Sequence, residues 1–232
     1  MPFKMVPERD RKLNRLVKRG MTRELRRGQS LYSVGDPGGE AYVVMSGLLR
    51  LTALHGTGQE RIVDLAGPME LAGEEGLVPG ASRRTGARAA SAGRVVVLEG
   101  EAVSQALRTA PKTFHLFLQG KEESLALARI PGIPRSSGGT RSRLAAVLLH
   151  LSGRFGNKKG RGVRIAIRVT HQDLADLSGS HRSTVTTLLN DWIYTGVLGG
   201  RSGDLWILQP QALAAQSRGT EPPAGTADVV LR

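Results

Sequence analysis

The sequence predicts an α+β chain of two domains: a small N-terminal β-domain, and a C-terminal domain of short helices closed by an apolar hairpin. Three observations carry that expectation. The 232 residues are too many for one minimal core and suit two compact units. Between Met21 and Leu98, short apolar runs alternate with glycine-bearing turns. Beyond residue 170, two segments of helical period are joined by a glycine.

The first element, residues 8–19, reads as a basic helix with Leu13, Leu16 and Val17 on one face. Tyr42-Val43-Val44-Met45, Leu48–Leu54, Ile62–Leu65 and Val95–Leu98 are strand-like. Turns at Gly28, Gly35–Gly39, Gly47, Gly56–Gly58, Gly67-Pro68 and Gly93 separate the apolar runs, a spacing that suits a small sandwich or barrel. Glu101–Leu107 is helical. Thr109-Ala110-Pro111 opens a longer helix through Phe114, Leu118, Leu125 and Ala128, which stops at Ile130-Pro131-Gly132-Ile133-Pro134 because proline lacks the helical donor. The expected boundaries are an N-terminal helix over 1–20, a β-domain over 21–108, a long helix and hinge over 109–134, a C-terminal domain over 135–212 and a disordered tail over 213–232. Arg135–Thr140 forms the flexible joint, Leu144–Leu151 a helix and Val163–Ile167 a strand.

Composition narrows the chemistry. With no cysteine, disulfides, thiolate metal sites and cysteine nucleophiles are excluded. Met1-Pro2-Phe3-Lys4-Met5 lacks the apolar region of a secretory signal, and no apolar run reaches the length of a membrane span, so a cytoplasmic location is expected. The formal charge is +13, and Arg135–Arg168 holds nine Lys or Arg without one Asp or Glu. Such a local excess suits a polyanion, and a solvated basic face is its plain alternative. An enzyme is not expected. The rival of that class, a cupin-like metal enzyme, needs histidines and a carboxylate converging on one metal. His55, His115, His150, His171 and His181 are scattered, and no metal site is expected.

The decisive segment runs from Thr170 to Trp192. Thr170 and Asp173 form a capping-box-like start. Leu174, Ala175 and Leu177 make the buried side of the first helix, and Gly179 supplies a turn residue free of Cβ. Ser180 then caps a second helix with Val185, Leu188, Leu189 and Trp192 buried. Ser183, Thr187 and Asn190 fall on the opposite, exposed side. Two helices joined this way make a helix-turn-helix. Gly196–Leu208 adds two apolar strands around a polar turn, a wing. A purely structural helical hairpin accounts for the periodicity but not for small polar residues plus one arginine at the exposed start of the second helix.

Here the sequence resembles the cAMP receptor protein/FNR family of bacterial regulators, and within it the cyanobacterial nitrogen-control branch. Ser142-Arg143-Leu144, Leu148-Leu149, Gly153-Arg154-Phe155-Gly156 and Gly179–Leu189 carry the resemblance, which spans roughly residues 20–210. It implies a cyclic-nucleotide-binding-like β-roll, a long dimerisation helix and a C-terminal winged helix-turn-helix. The implied partners are double-stranded DNA and a second copy of the chain, with RNA polymerase a further candidate and no membrane. Thr170, Gln172 and Thr184 match positions that contact phosphates. Arg182 matches an arginine that reads guanine O6 and N7. Ser183 and Thr187 sit where other base-reading side chains are placed, with Ser180 and His181 at the helix start. Thr187 departs from a common arginine, so a different half-site is expected. Lys158-Lys159 is expected in a loop, near DNA, near polymerase or merely solvated. Phe114, Phe117, Leu118, Leu125 and Leu127 supply either the dimer seam or packing against the β-roll.

The resemblance also implies a sensor loop. Family sensors for cyclic nucleotides carry Gly-Glu-x-small-Leu followed by Arg with Ser or Thr. This chain has Gly73-Glu74-Glu75-Gly76-Leu77 and then Arg83-Arg84-Thr85. By resemblance Glu74 takes a ribose hydroxyl and Arg83 or Arg84 the phosphate. Three positions depart from that pattern: Glu75 replaces an apolar residue, Met69-Glu70 stands for Gly-Asp, and Ala128-Arg129 stands for a Thr-Ser pair. The expectation therefore stays open between cAMP, another small anionic effector, and a ligand-independent regulator with a degenerate sensor.

Overall fold

The computed structural model describes residues 11–54, 56, 58–130, 139–160, 162–201 and 203–219. The chain divides into two compact units, Met1–Arg129 with Gly153–Phe155, and Ile130–Ser152 with Gly156–Arg232.

The first unit begins with helix α1 (Arg11–Arg19) and continues through strands β1 (Met21–Leu25), β2 (Ser30–Tyr32), β3 (Glu40–Ser46), β4 (Leu49–Leu54), β5 (Glu60–Ala66), β6 (Leu71–Ala72), β7 (Gly86–Ala89) and β8 (Gly93–Glu99). The strands form two four-stranded sheets, ordered β1-β8-β3-β6 and β2-β7-β4-β5. Every pairing is antiparallel. The period of two explains why β3 and β8 read as unbroken apolar runs: both of their faces are covered. Tyr42, Val44 and Val95, with Leu25 of their own sheet, enter a core with Leu31, Leu49, Leu51 and Ala87 from the other sheet. Ala41, Val43, Val96 and Leu98 face outward into a second core with Val17 of α1 and with Val103, Ala106 and Leu107 of α2 (Gly100–Arg108).

Helix α3 (Pro111–Arg129) completes this unit. Its apolar residues divide between the two expected roles. Leu127 is fully buried and Phe117 packs on the second core, whereas Phe114, Leu118 and Leu125 stand 44%, 47% and 54% exposed. Spacings of four and eleven residues place those three within about 40° of one another on the helix surface.

The second unit contains α4 (Gly139–Phe155, through Ser152), β9 (Gly156–Lys159), β10 (Gly162–Ile165), α5 (His171–Ser178), α6 (Arg182–Tyr194), β11 (Leu198–Arg201), β12 (Asp204–Ile207) and α7 (Pro210–Ser217). The strands make one antiparallel sheet, β11-β12-β10-β9. Leu144, Leu148 and Leu151 of α4, Leu174 and Leu177 of α5, and Val185, Leu189 and Trp192 of α6 are all buried.

Several expectations change. The tail was placed from residue 213, but α7 runs to Ser217 and buries Leu213, with Trp192 Nε1 donating to Gln216 Oε1 at 2.7 Å. Lys158 lies on a hairpin strand paired with Val163 and not in a loop. Gly139 and Thr140, placed in the joint, already belong to α4. The proline-bounded hinge at residues 131–134 and the segment beyond residue 219 lie outside the described residues.

One glycine is demanded by close approach. A Cβ at Gly76 would collide with the Glu40 carbonyl oxygen. Gly76→Ala should therefore destabilise the first unit by about 2 kcal/mol or more, since backbone atoms cannot swing aside; urea unfolding of the variant checks this, and a loss under about 0.5 kcal/mol would contradict the packing.

Candidate nucleic-acid interface and sensor loop

The helix-turn-helix is built by local chemistry. The Thr170 side chain accepts from the Asp173 amide at 3.1 Å, and Asp173 Oδ2 accepts from the Thr170 amide at 2.8 Å, so the capping box is reciprocal. Gly179 ends α5 at φ 60°, a left-handed conformation that costs glycine little. Arg143 of α4, only 6% exposed, donates through Nε to the Ser178 carbonyl at 2.8 Å and through Nη2 to the Gly179 carbonyl at 3.5 Å. A guanidinium thus sits at the negative end of α5 and fixes the turn. Sequence reasoning noted Arg143 only as part of a resemblance; its role depends on a contact 35 residues away.

Ser180 does not cap α6. His181 takes the cap position without a side-chain bond, and Ser180 Oγ donates to the Ser178 carbonyl at 3.2 Å. The two helices are tied instead by His171, whose Nδ1 lies 2.8 Å from Thr186 Oγ1, which in turn donates to the Arg182 carbonyl at 2.9 Å. Burial lowers the His171 pKa, and the nearby Arg182 charge adds to that.

Arg182, Ser183, Thr184 and Thr187 are exposed together on the first turns of α6. Arg182 makes no ion pair among the described residues: Asp173 is taken up in the capping box, and Asp176 accepts from Gln172 Nε2 at 2.8 Å. Neither Asp173 nor Asp176 is thus paired with Arg182 to brace the two helices. Thr187 Oγ1 donates to the Ser183 carbonyl at 3.2 Å. Across the sheet, Arg164 pairs with Asp204 at 2.6 Å beside the β11–β12 turn, while Arg168 is exposed, has no partner among the described residues and approaches so closely that a Cβ at Gly203 would crowd its side chain.

The sensor loop in the first unit differs from expectation. A 3-10 turn holds Glu74–Leu77, preceded by Gly73. Arg83 points inward and is 3% exposed, whereas Arg84 is exposed. Arg83 donates to the Gly73 and Glu40 carbonyls, both at 2.7 Å, and its guanidinium lies 4.5 Å from the Tyr32 ring centroid and 5.5 Å from that of Tyr42. Burial raises both tyrosines, Tyr42 up to about 12. Glu74 is bound by Lys121 Nζ of α3 at 2.7 Å. Glu75 Oε1 lies within reach of the Arg84 amide, the Thr85 amide and the Thr85 hydroxyl. Lys121, Tyr32 and Tyr42 were not legible as site residues, since no local motif marks them.

Among the described residues, no three metal-ligating side chains converge, and no helix is long and apolar enough to cross a membrane.

Residues 22–110 match the family model of the cyclic nucleotide-binding domain, and residues 142–216 that of the Crp-like helix-turn-helix domain. The cyclic AMP receptor protein of Thermus thermophilus is 32% identical over 171 residues, covering 74% of this chain and 76% of the relative. The global nitrogen regulator of Synechocystis is 29% identical over 192 residues, covering 82% and 85%. A solved transcriptional regulator of the CRP/FNR family from Thermus thermophilus superposes with a TM-score of 0.62 at 27% identity, covering 86% of this chain and all of that one.

The two arginines and the histidine give separable tests. Arg83→Ala should cost about 2–4 kcal/mol of stability, because it strands the buried Gly73 carbonyl and breaks the part-buried bond to Glu40, whereas Arg84→Ala should stay within about 0.5 kcal/mol; urea titration distinguishes them, and equal losses would contradict the inward placement. His171 should titrate below its ordinary 6.5 by NMR. Its contribution to stability is then complete above that value and is lost as pH falls through the lowered one.

Proposed function

Because the chain belongs to the cAMP receptor protein/FNR family of DNA-binding transcription regulators, we propose that it binds an inverted-repeat operator as a homodimer and reads it with α6. The observation that carries this reading is the exposed Arg182, without an ion pair among the described residues, on the first turn of a helix whose supporting turn is locked by Arg143. A planar guanidinium there matches the two acceptors on a guanine edge. Ser183 and Thr187 suit neighbouring bases. Thr170, Gln172 and Thr184 suit phosphates, and Arg168 adds a cation that sequence reasoning passed over. Ser180 and His181 frame the entry to the groove. The exposed Phe114, Leu118 and Leu125 face of α3 suits a second copy of the chain, and Lys158 suits a phosphate or an acidic polymerase surface. As one of a family of cytoplasmic regulators, the chain has no need of a catalytic site for this role.

The sensor admits two readings. In the first, a small anionic effector such as cAMP binds at Gly73, Glu74, Arg83, Arg84 and Thr85 and gates DNA binding, as the name of the mycobacterial cAMP-activated relative suggests. In the second, DNA binding needs no ligand. A specific observation favours the second: Glu74 is held by Lys121, and Arg83 by two carbonyls and two aromatic rings.

Fluorescence anisotropy against single-base operator variants tests the reading of α6. Arg182→Ala should lose about 1–3 kcal/mol at one base pair per half-site, and Arg182→Lys should not restore it. Affinity should fall steeply with salt as Lys and Arg release counterions. Equal losses at every position would show that Arg182 reads no base, and no preference for any palindrome would end the regulator reading.

A further inference from the structure

The sensor loop carries an anion of its own. Three donors converge on Glu75 Oε1: the Arg84 amide at 3.2 Å, the Thr85 amide at 3.3 Å and the Thr85 hydroxyl at 3.1 Å. The Arg83 guanidinium flanks them, with Nη1 3.9 Å from Glu75 Oε2. The seat is enclosed, since the Glu75 side chain is 12% exposed and that of Arg83 only 2%. Successive amides, a hydroxyl and a guanidinium are the donor set with which proteins hold phosphates and other oxyanions. Here a carboxylate of the chain occupies it.

We propose that Glu75 is the built-in occupant of the sensor: its carboxylate fills the seat otherwise open to the phosphoryl group of an effector, and holds the loop in its DNA-competent arrangement without one. This rests on reading Gly73–Thr85 as the sensor loop. Two physical terms exclude an external phosphate. A tethered carboxylate competes at an effective concentration that free metabolites do not match. A phosphate placed beside that carboxylate meets like charge in a buried site. Arg83 Nε is buried and has no hydrogen-bond partner among the described residues, so the carboxylate leaves one guanidinium donor unmet.

The contact also has a route outward within this unit. Thr85 grips Glu75, its neighbour Glu74 is bound by Lys121, and Lys121 belongs to α3. An occupied seat thereby fixes the end of the 3-10 turn and, through Lys121, the helix that bears the exposed apolar face. No metabolite is required to set that arrangement.

The test uses the full chain and its operator, with cAMP and inorganic phosphate as probes. Wild type should show neither a calorimetric signal nor a change in melting temperature with either probe, and its operator affinity should be unmoved by cAMP. Glu75→Ala should bind the operator at least about tenfold more weakly, and millimolar phosphate or cAMP should raise its melting temperature and restore the affinity. Glu75→Gln keeps the volume and loses the charge; it should show the same phosphate response in smaller measure. A wild-type protein that binds cAMP and then grips its operator more tightly overturns the proposal. So does a pair of variants with unchanged operator affinity and no response to either anion. Absence of operator specificity in wild type bears on α6 alone, and leaves the thermal response of the variants to decide about Glu75.

Discussion

A buried guanidinium organises the first unit. Arg83 reaches from the segment before β7 into the space between the sheets, where it holds the Gly73 and Glu40 carbonyls and lies on two stacked tyrosines 5.5 Å apart. Removing a guanidinium from water is expensive unless its donors are satisfied and its faces covered. Its two Nη donors and its covered faces tie distant pieces together: β2 supplies Tyr32, β3 supplies Glu40 and Tyr42, and the turn before Glu74 supplies the Gly73 carbonyl. The 3-10 turn, its Glu75 carboxylate and the Lys121 contact to α3 depend on that arrangement.

The second unit solves a similar problem with Arg143, again a nearly buried arginine spent on carbonyls. There the carbonyls end a helix, so the cation also meets the negative pole of α5. Ser142 Oγ on the same turn of α4 donates to the Ser217 carbonyl at 2.6 Å, and Arg141 pairs with Asp191 at 2.8 Å. Three consecutive residues thus anchor α5, α6 and α7. Exposed cations such as Arg168 and Arg182 and a set of internally committed arginines coexist in one chain, and net charge alone cannot tell them apart.

What the sequence disclosed follows the range of the forces involved. The capping box at Thr170 and the glycine turn at Gly179 are local, so the helix-turn-helix was legible, although the cap of α6 falls on His181 and not on Ser180. β3 and β8 were legible because two buried faces leave a continuous apolar run. β7, Gly86-Ala87-Arg88-Ala89, was not, since its small residues form a strand only because β2 and β4 flank it. The choice between Arg83 and Arg84 was closed to sequence reasoning for the same reason. Neighbours in extended chain point to opposite sides, and only the tyrosines from β2 and β3 decide which side is the interior. Glu75 was noticed as a misplaced charge beside a phosphate seat; that it sits in the seat depends on a partner ten residues away.

The Arg143 clasp has a kinetic side. A recognition element that must organise itself on its target surrenders part of every favourable contact to the entropy of ordering, and many encounters end before ordering is complete. With the α5–α6 turn clasped at both carbonyls and cross-braced by His171 and Thr186, that entropy is already spent when the chain folds. Encounters with the wrong sequence then gain nothing by local rearrangement. Discrimination between sites falls to how long each complex lasts, and a rigid turn keeps the residence time on a mismatched site short.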